Sequence, residues 1–393
     1  MRLLFARALG LALSLSVASA TASYAAIGVR PSAGSPGRQV SVSYFYDNLS
    51  SDGEWVQEPN YGWCWTPYDM SPDWRPYYNG HWAYTDYGWS WVSNERWGWA
   101  TYHYGRWLFD DSYGWVWVPG TVWAPAWVAW RYGDDWVGWA PLPPRAGWDV
   151  SRGLSFSDVN SIPSHDWCFV PQAQILSVNI RLQVSSVARN VTLLQRSRDA
   201  TRFEVRGGRP ANLGIDVAQV ERRVRRPVPR VRIVDVSTPA RGGGGTVGKG
   251  GVGFYRPTVQ PAAANQGPPP AVIGRQNTIP DAAVKRQREA QQRLLDSNLK
   301  TERARLLREQ QSDLRAKAAA GAGAEEVRKR HAAEQQAFDA HATQQRQVLE
   351  QRMQKKIVRP VRTKAPAQPA VRSRPQTQDK GQPQDKGQGK SGH

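Results

Sequence analysis

A mainly β fold is predicted for the first part of this chain, and a long α-helical arm for its C-terminal part. Seventeen of the 19 tryptophans lie between Trp55 and Trp139, in repeats that follow the two-residue period of β-strands. A long polar helix pattern begins at Asp281. We therefore expect antiparallel hairpin repeats in a meander or small barrel, a small α+β accessory region, and a coiled-coil-like arm with a disordered tail.

The N-terminus has the features of a secretory signal peptide. Arg2 and Arg7 precede an apolar run from Ala8 to Val17, and small residues follow it. The run is shorter than the roughly 20 residues that cross a bilayer, which argues against a retained anchor. We predict a signal peptide at 1–26 and a flexible leader at 27–43. No other segment is expected to span a membrane, and no cysteine lies near the cleavage region, so we expect a periplasmic or secreted protein without a lipid anchor.

A Trp-rich β-repeat domain is predicted at 44–147. Its motif is Gly-x-Trp, a short gap, and then Tyr-Gly-Trp-x-Trp, whose three clear copies begin at Tyr61, Tyr87 and Tyr113. Side chains two apart on a strand share one face, and a glycine permits the positive φ of a tight turn. Each copy is therefore expected to be a hairpin, and successive hairpins to pair or stack into one sheet or small barrel.

The rest of the chain has an uneven composition that divides it further. Residues 148–236 read as ordinary globular sequence and are predicted to form an accessory α+β region. Within it we expect strands at 190–194, 201–205 and 231–236, and a helix at 216–223.

Beyond the accessory region the sequence becomes largely non-globular. Residues 237–280 are rich in Gly, Pro and Ala and are expected to be a linker. A basic helical hairpin or coiled coil is predicted at 281–357, with a break at 321–323; two solvated helices without a fixed partner are the alternative. A disordered basic tail is expected at 358–393.

The formal net charge of +19 is concentrated in the C-terminal part. Residues 27–147 contain 7 Arg, no Lys and 12 acidic residues, whereas residues 148–393 contain 43 basic and 21 acidic ones. Any attraction to an anionic surface is therefore expected from the C-terminal part, through the basic arm. A solvated run of charge without a ligand is the alternative.

The chain resembles a family of exported, Trp-rich bacterial proteins of uncharacterised function. The resemblance rests on the segments at 87–92, 97–107 and 123–128, and runs from about Tyr44 to Val236 because 190–192 and 226–232 also match its later part. Some members of that family carry a FecR-type domain, for which this chain leaves no room after its signal peptide. The resemblance implies an envelope or secreted location, and neither a reaction nor catalytic residues.

The repeated tryptophans are the candidate ligand site. Aromatic rings on one strand face can stack against sugar rings, which predicts binding of an envelope polysaccharide or peptidoglycan. The alternative is that they form the core, since burial of tryptophan stabilises a small β domain. The candidate platform consists of Trp63, Trp65, Trp89, Trp91, Trp115 and Trp117.

The chain has two cysteines, Cys64 and Cys168. An oxidising compartment would permit a disulfide between them, which would tie the repeat domain to the accessory region. Two separate buried thiols are the alternative.

No catalytic residue, metal ligand or cofactor site is predicted. His81, His103 and His165 lie in no nucleophile motif and do not form a repeated ligand pair. The glycine-rich run at 243–250 lacks the Ser or Thr and the helix of a phosphate-binding loop.

The functional hypothesis is a non-enzymatic envelope protein that binds a surface polymer, glycan or protein partner. The first alternative is a structural or assembly protein that forms homo-oligomers through its helical arm. The second is a glycan hydrolase, which would need a pair of carboxylates from among Asp110, Asp111, Asp134 and Asp135.

Overall fold

The computed structural model describes residues 39–68, 70–71, 74–133, 135–239, 246–248, 251–261, 267–274, 281–319 and 323–354. The predicted signal peptide, most of the predicted leader and the predicted disordered tail lie outside these residues. The described part is largely β, and its C-terminal end consists of two long helices, in agreement with the predicted fold class.

Twenty strands are present in the described residues. In chain order they are β1 (Gln39–Ser41), β2 (Gly53–Glu58), β3 (Gly62–Pro67), β4 (Gly80–Thr85), β5 (Gly88–Ser93), β6 (Arg106–Asp110), β7 (Gly114–Val118), β8 (Val128–Gly133), β9 (Trp136–Pro141), β10 (Gly147–Asp149), β11 (Gly153–Ser155), β12 (Cys168–Pro171), β13 (Ser197–Asp199), β14 (Phe203–Arg206), β15 (Arg209–Asn212), β16 (Arg230–Val231), β17 (Ile233–Asp235), β18 (Thr246–Gly248), β19 (Gly251–Phe254) and β20 (Thr258–Gln260).

The helices are mostly short until the arm is reached. They are α1 (Ser43–Leu49), α2 (Gly98–Thr101), α3 (Asn190–Gln195), α4 (Val217–Val224), α5 (Pro270–Gly274), α6 (Asp281–Ala319) and α7 (Ala324–Gln354). Neither α6 nor α7, nor any other helix in the described ranges, combines the length and apolarity that crossing a bilayer requires.

Each of the three repeats is an antiparallel hairpin, and the Trp-containing segment that follows them, at 128–141, forms a fourth. The hairpins are β2–β3, β4–β5, β6–β7 and β8–β9. In every hairpin a tryptophan of the first strand lies directly opposite a tryptophan of the second, where cross-strand side chains are in contact. The four pairs are Trp55 and Trp65, Trp82 and Trp91, Trp107 and Trp117, and Trp130 and Trp139.

The hairpins do not form the single sheet or barrel that the sequence predicted. They are divided among three sheets, of order β2-β3-β7-β6, β14-β15-β5-β4-β16 and β12-β9-β8-β13. Only the β3–β7 bridge, at Trp65 and Trp117, joins two repeat hairpins. The edges of the second and fourth hairpins pair instead with strands from the accessory region, so the two predicted domains form one structure.

The tryptophans form the core where the sheets meet. All eight members of the cross-strand pairs are at most 3% exposed. Trp82 is the centre of the cluster, since its ring lies 5.0 Å from that of Trp91 and 4.5 Å from that of Trp130. Each buried indole removes about 150–250 Å² from water, worth roughly 4–6 kcal/mol, so tryptophan burial makes a large stabilising contribution.

The accessory region and the predicted linker differ from expectation in two places. Residues 190–194 form most of α3 rather than a strand, and β14 pairs with β15 instead. The predicted linker at 237–280 contains β18, β19, β20 and α5, and Val252, Phe254 and Val259 from it are buried. The predicted helix at 216–223 is observed as α4, with Asp216 as its N-cap.

The two arm helices pack against each other and against the β core. Their apolar stripe forms a cluster that also includes Ala188; its helical members are Leu295, Leu299, Leu306, Phe338, Ala342 and Leu349. The arm is thus a helical hairpin with a fixed partner, namely the accessory region, and the alternative of two solvated helices is wrong.

Candidate functional site

The predicted aromatic platform is not a surface. Trp65, Trp89, Trp91 and Trp117 are fully buried and Trp115 is 8% exposed. The indole N–H groups of Trp65, Trp89 and Trp117 donate to backbone carbonyls, as Trp89 Nε1 does to that of Ile215 at 2.9 Å. The rings lie in the hydrophobic core, so the prediction of a ligand platform is wrong for these five residues.

Trp63 is the sixth member of the predicted platform and the least enclosed. It is partly buried and packs against the core. Gly267 lies against its indole so closely that a Cβ there would come within 2.4 Å of Nε1. A single, partly covered ring offers no repeated stacking surface.

The two cysteines are free thiols in separate surroundings. Cys64 is buried beside Val56 and Val116, whereas Cys168 is buried in β12 and accepts a hydrogen bond from Arg75 Nε at 3.2 Å. The predicted disulfide is therefore absent, and the alternative of two buried thiols is observed. Burial raises the pKa of Cys64 to about 12.

A buried polar cluster surrounds Cys168. His165 Nε2 lies 3.2 Å from Asp166 Oδ1, and Arg75 is next to both Asp166 and Cys168. Burial lowers the pKa of His165 to about 4 and raises that of Asp166 to about 8, so both groups are neutral near neutral pH and their contact is not an ion pair.

The same cluster lacks an activated nucleophile. Burial raises the pKa of Cys168, with a smaller lowering effect from Arg75, and the thiol is therefore protonated. A catalytic cysteine needs the opposite shift and an accessible sulfur. We interpret the cluster as a structural polar contact inside the core; Arg75 was not identified from the sequence because nothing nearby in the chain predicts its partners.

Two of the four carboxylates proposed for a hydrolase, Asp110 and Asp135, have other roles. Asp110 accepts backbone N–H bonds from Ser112 and Tyr113 and so stabilises its turn. Asp135 forms an ion pair with Arg223. Asp134 lies outside the described residues. Within those residues, moreover, no group of three His, Cys, Asp or Glu side chains is placed to hold a metal ion.

The remaining histidines are also held by the core. His103 is fully buried, donates from Nδ1 to the Ala124 carbonyl at 2.9 Å, and stacks on Trp123. Burial lowers its pKa to about 4, and burial also lowers the pKa of His81. Both rings are therefore neutral structural groups.

The end of the accessory region carries a dense group of exposed arginines. The segment from Asp216 to Val236 contains six arginines and three acidic residues. Two of the arginines are paired, Arg223 with Asp135 and Arg230 with Glu221. We define the arginine face as the other four, which are exposed and form no ion pair with any described residue: Arg222, Arg225, Arg226 and Arg232.

The backbone that carries the arginine face is fixed. Arg225 ends α4 in the left-handed conformation, with a φ of 54°. Val228 is 2% exposed, and its N–H donates to Glu221 Oε1 at 3.1 Å. The next residues form β16, which pairs with Tyr84 and Thr85 of β4. The four guanidinium groups are therefore presented from a rigid segment.

Nearby carboxylates do not neutralise the arginine face. Glu221 is occupied by Val228 and Arg230, Asp216 caps α4, and Asp235 pairs with Arg256. The sequence locates the positive charge in the C-terminal part of the chain and predicts that the basic arm binds an anionic surface. The high density of arginine at 222–232 could have indicated this surface from the sequence. Only the structure shows which of the guanidinium groups are unpaired.

Comparison with known proteins adds a family similarity but no activity. The model of a family of unknown function (DUF6600) matches residues 46–146. This segment contains the four hairpins and excludes both the arginine face and the arm. No curated protein and no solved structure matches the chain.

Proposed function

We propose that this chain is a non-enzymatic, exported envelope protein that binds a phosphate-bearing surface through its arginine face. The observation that carries the proposal is the set of four exposed, unpaired guanidinium groups on a rigid segment. Guanidinium groups bind phosphate oxygens in a bidentate manner, and a fixed backbone reduces the entropy lost on binding. The predicted signal peptide supports the envelope location.

The other functions predicted from the sequence have less support. A glycan platform needs exposed rings, whereas the paired tryptophans are buried. Assembly through the arm has less support because most of its apolar stripe is buried within the hairpin and against Ala188. In our proposal the Trp-rich hairpins act as the rigid platform for the arginine face.

Binding of the full chain to immobilised polyphosphate tests the proposal. The triple variant Arg222→Gln, Arg226→Gln and Arg232→Gln removes three unpaired charges from the face. We expect the affinity to fall by at least about tenfold. The negative slope of log affinity against log salt concentration should become shallower by about 2 to 3, because fewer counterions are released on binding. Neutral dextran serves as the ligand without phosphate.

A charge-matched control uses the arm. Arg286→Gln, Arg308→Gln and Arg315→Gln remove the same net charge from exposed positions on α6. This variant should lose much less affinity than the face variant. Equal losses would mean that net charge, rather than the arginine face, binds phosphate, and the proposal would be rejected.

A further inference from the structure

An apolar turn, which we define as the segment from Gln172 to Gln183, lies beside the arginine face. Val178 and Leu182 are 78% and 73% exposed, the two highest values among the large apolar side chains of the described residues. Ile175 and Ile180, from the same segment, are fully buried. The turn is therefore anchored from within, and two apolar side chains project from it into solvent.

Two sets of contacts place this turn next to the arginine face. The segment Gln172–Gln174 packs against α4. Gln172 N–H donates to the backbone carbonyl of Asp135, and the side chain of Asp135 pairs with Arg223. The turn at Ile180–Gln183 packs against β4, whose edge is occupied by β16. Both ends of the apolar turn thus contact elements that carry or hold the arginines.

The charge around the apolar turn is entirely positive along the chain. No Asp or Glu occurs between Asp166 and Asp199. Arg181 lies between the two apolar residues, and its guanidinium is 5.6 Å from the centroid of the Tyr78 ring. The exposed Arg181 therefore adds positive charge to the same turn as Val178 and Leu182.

We infer that the phosphate-bearing surface is an anionic lipid bilayer, into which Val178 and Leu182 insert while the arginines contact headgroup phosphates. This inference rests on the proposed function and names its partner. Exposed apolar side chains gain free energy by entering the hydrocarbon boundary, and adjacent arginines add attraction to anionic headgroups. A hydrated phosphate polymer would contact the arginines equally well but offers nothing to two projecting aliphatic side chains.

Vesicle binding by the full chain tests the inference. Vesicles of phosphatidylglycerol and phosphatidylcholine are compared with soluble polyphosphate, using the double variant Val178→Ser and Leu182→Ser. We expect this variant to bind the vesicles about tenfold more weakly or worse, because its apolar insertion is lost, and to bind polyphosphate as the wild type does. Leu307→Ser with Leu314→Ser, which changes two exposed leucines on α6, is the matched control and should leave both affinities unchanged.

A fluorescent probe reports insertion directly. Both native thiols are fully buried, so a polarity-sensitive dye on Val178→Cys labels residue 178 selectively. Its emission should shift to the blue with the anionic vesicles and not with polyphosphate. A dye shift already present without lipid would indicate self-association of the turn and would contradict the inference.

The outcomes separate this inference from the proposed function. Three results would each overturn the inference: polyphosphate binding without vesicle binding, unchanged vesicle binding by the serine variant, or an equal loss of affinity for both ligands in that variant. The proposed function would still be supported by the arginine-face variants. Failure of the full chain to bind either ligand would overturn the proposed function as well.

Discussion

At the residue scale, Glu95 is a carboxyl group enclosed by the tryptophan core. It is 8% exposed and accepts hydrogen bonds from Trp74 Nε1 at 2.8 Å and from the Tyr102 hydroxyl at 2.6 Å. Burial raises its pKa to about 7 despite these hydrogen bonds. The protein therefore bears a desolvation cost whenever this group is ionised.

The raised pKa predicts how stability depends on pH. A carboxyl group whose pKa is higher in the folded than in the unfolded state makes folding less favourable as pH rises from about 4.5 to about 7, by roughly 3 kcal/mol in total. In Glu95→Gln this part of the pH dependence should disappear. Chemical denaturation at several pH values measures it, with the exposed Glu204→Gln as control; parallel stability curves for wild type and Glu95→Gln would contradict the prediction.

At the scale of elements, local signals predicted the hairpins but not their partners. Tyr-Gly-Trp-x-Trp fixes a turn and a strand face within a few residues, and the hairpins are observed at those positions. Which hairpin edge pairs with β12, β13, β15 or β16 depends on contacts between residues that are far apart in the chain. A local period in the sequence carries no information about such contacts. The apolar run 190–194 was assigned to a strand because short apolar runs are ambiguous, and it is helical in α3.

Two glycines at equivalent positions of the repeat distinguish the free-energy cost of backbone strain from the cost of a clash with a neighbouring strand. Gly62 and Gly88 both begin a second strand with positive φ, at 71° and 82°. A Cβ at Gly62 meets nothing within 4 Å, whereas one at Gly88 would lie 2.0 Å from the Asn212 carbonyl oxygen of β15.

Gly62→Ala should therefore cost only the strain of the left-handed conformation, about 1–2 kcal/mol. Gly88→Ala should cost clearly more, because β15 must move away from β5 as well. Thermal and denaturant unfolding of both variants measure the difference, and equal destabilisation would show that β15 does not pack here as described.

At the scale of the whole molecule, a buried ionic network holds the helical arm on the accessory region. Arg189 is 5% exposed and lies 2.8 Å from Asp313 Oδ2 and 3.5 Å from Glu334 Oε1. Glu309 accepts from Ser185 Oγ at 2.9 Å, and its pKa is raised because burial outweighs its attraction to Arg189. The sequence predicted the helices from composition, but not their docking, because each ion pair joins positions more than a hundred residues apart.

Removal of Arg189 should release the arm. Arg330 also contacts Asp313 and Glu334. Arg189→Met therefore keeps one cation in the network but removes the hydrogen-bonded ion pair that joins the arm to the accessory region, which typically costs about 1.5–3 kcal/mol. Limited proteolysis should then cleave within α6 and α7 faster than in the wild type, while the hairpin core stays resistant. Arg328→Met, which breaks an exposed ion pair with Glu325, should change little; equal protection of α6 and α7 in wild type and Arg189→Met would mean that the apolar contacts alone hold the arm.

The pairing of β1 with β20 also determines the order in which the chain can fold. Gln39 is in register with Thr258, and Val42 N–H donates to the Gln260 carbonyl, so the first described strand finds its partner only near the end of the β part. A chain that emerges from the ribosome or crosses a membrane from its N-terminus has every tryptophan repeat available before this partner appears. Completion of the native structure must therefore wait for residue 260, and the indole-rich intermediates present until then are the species most exposed to aggregation.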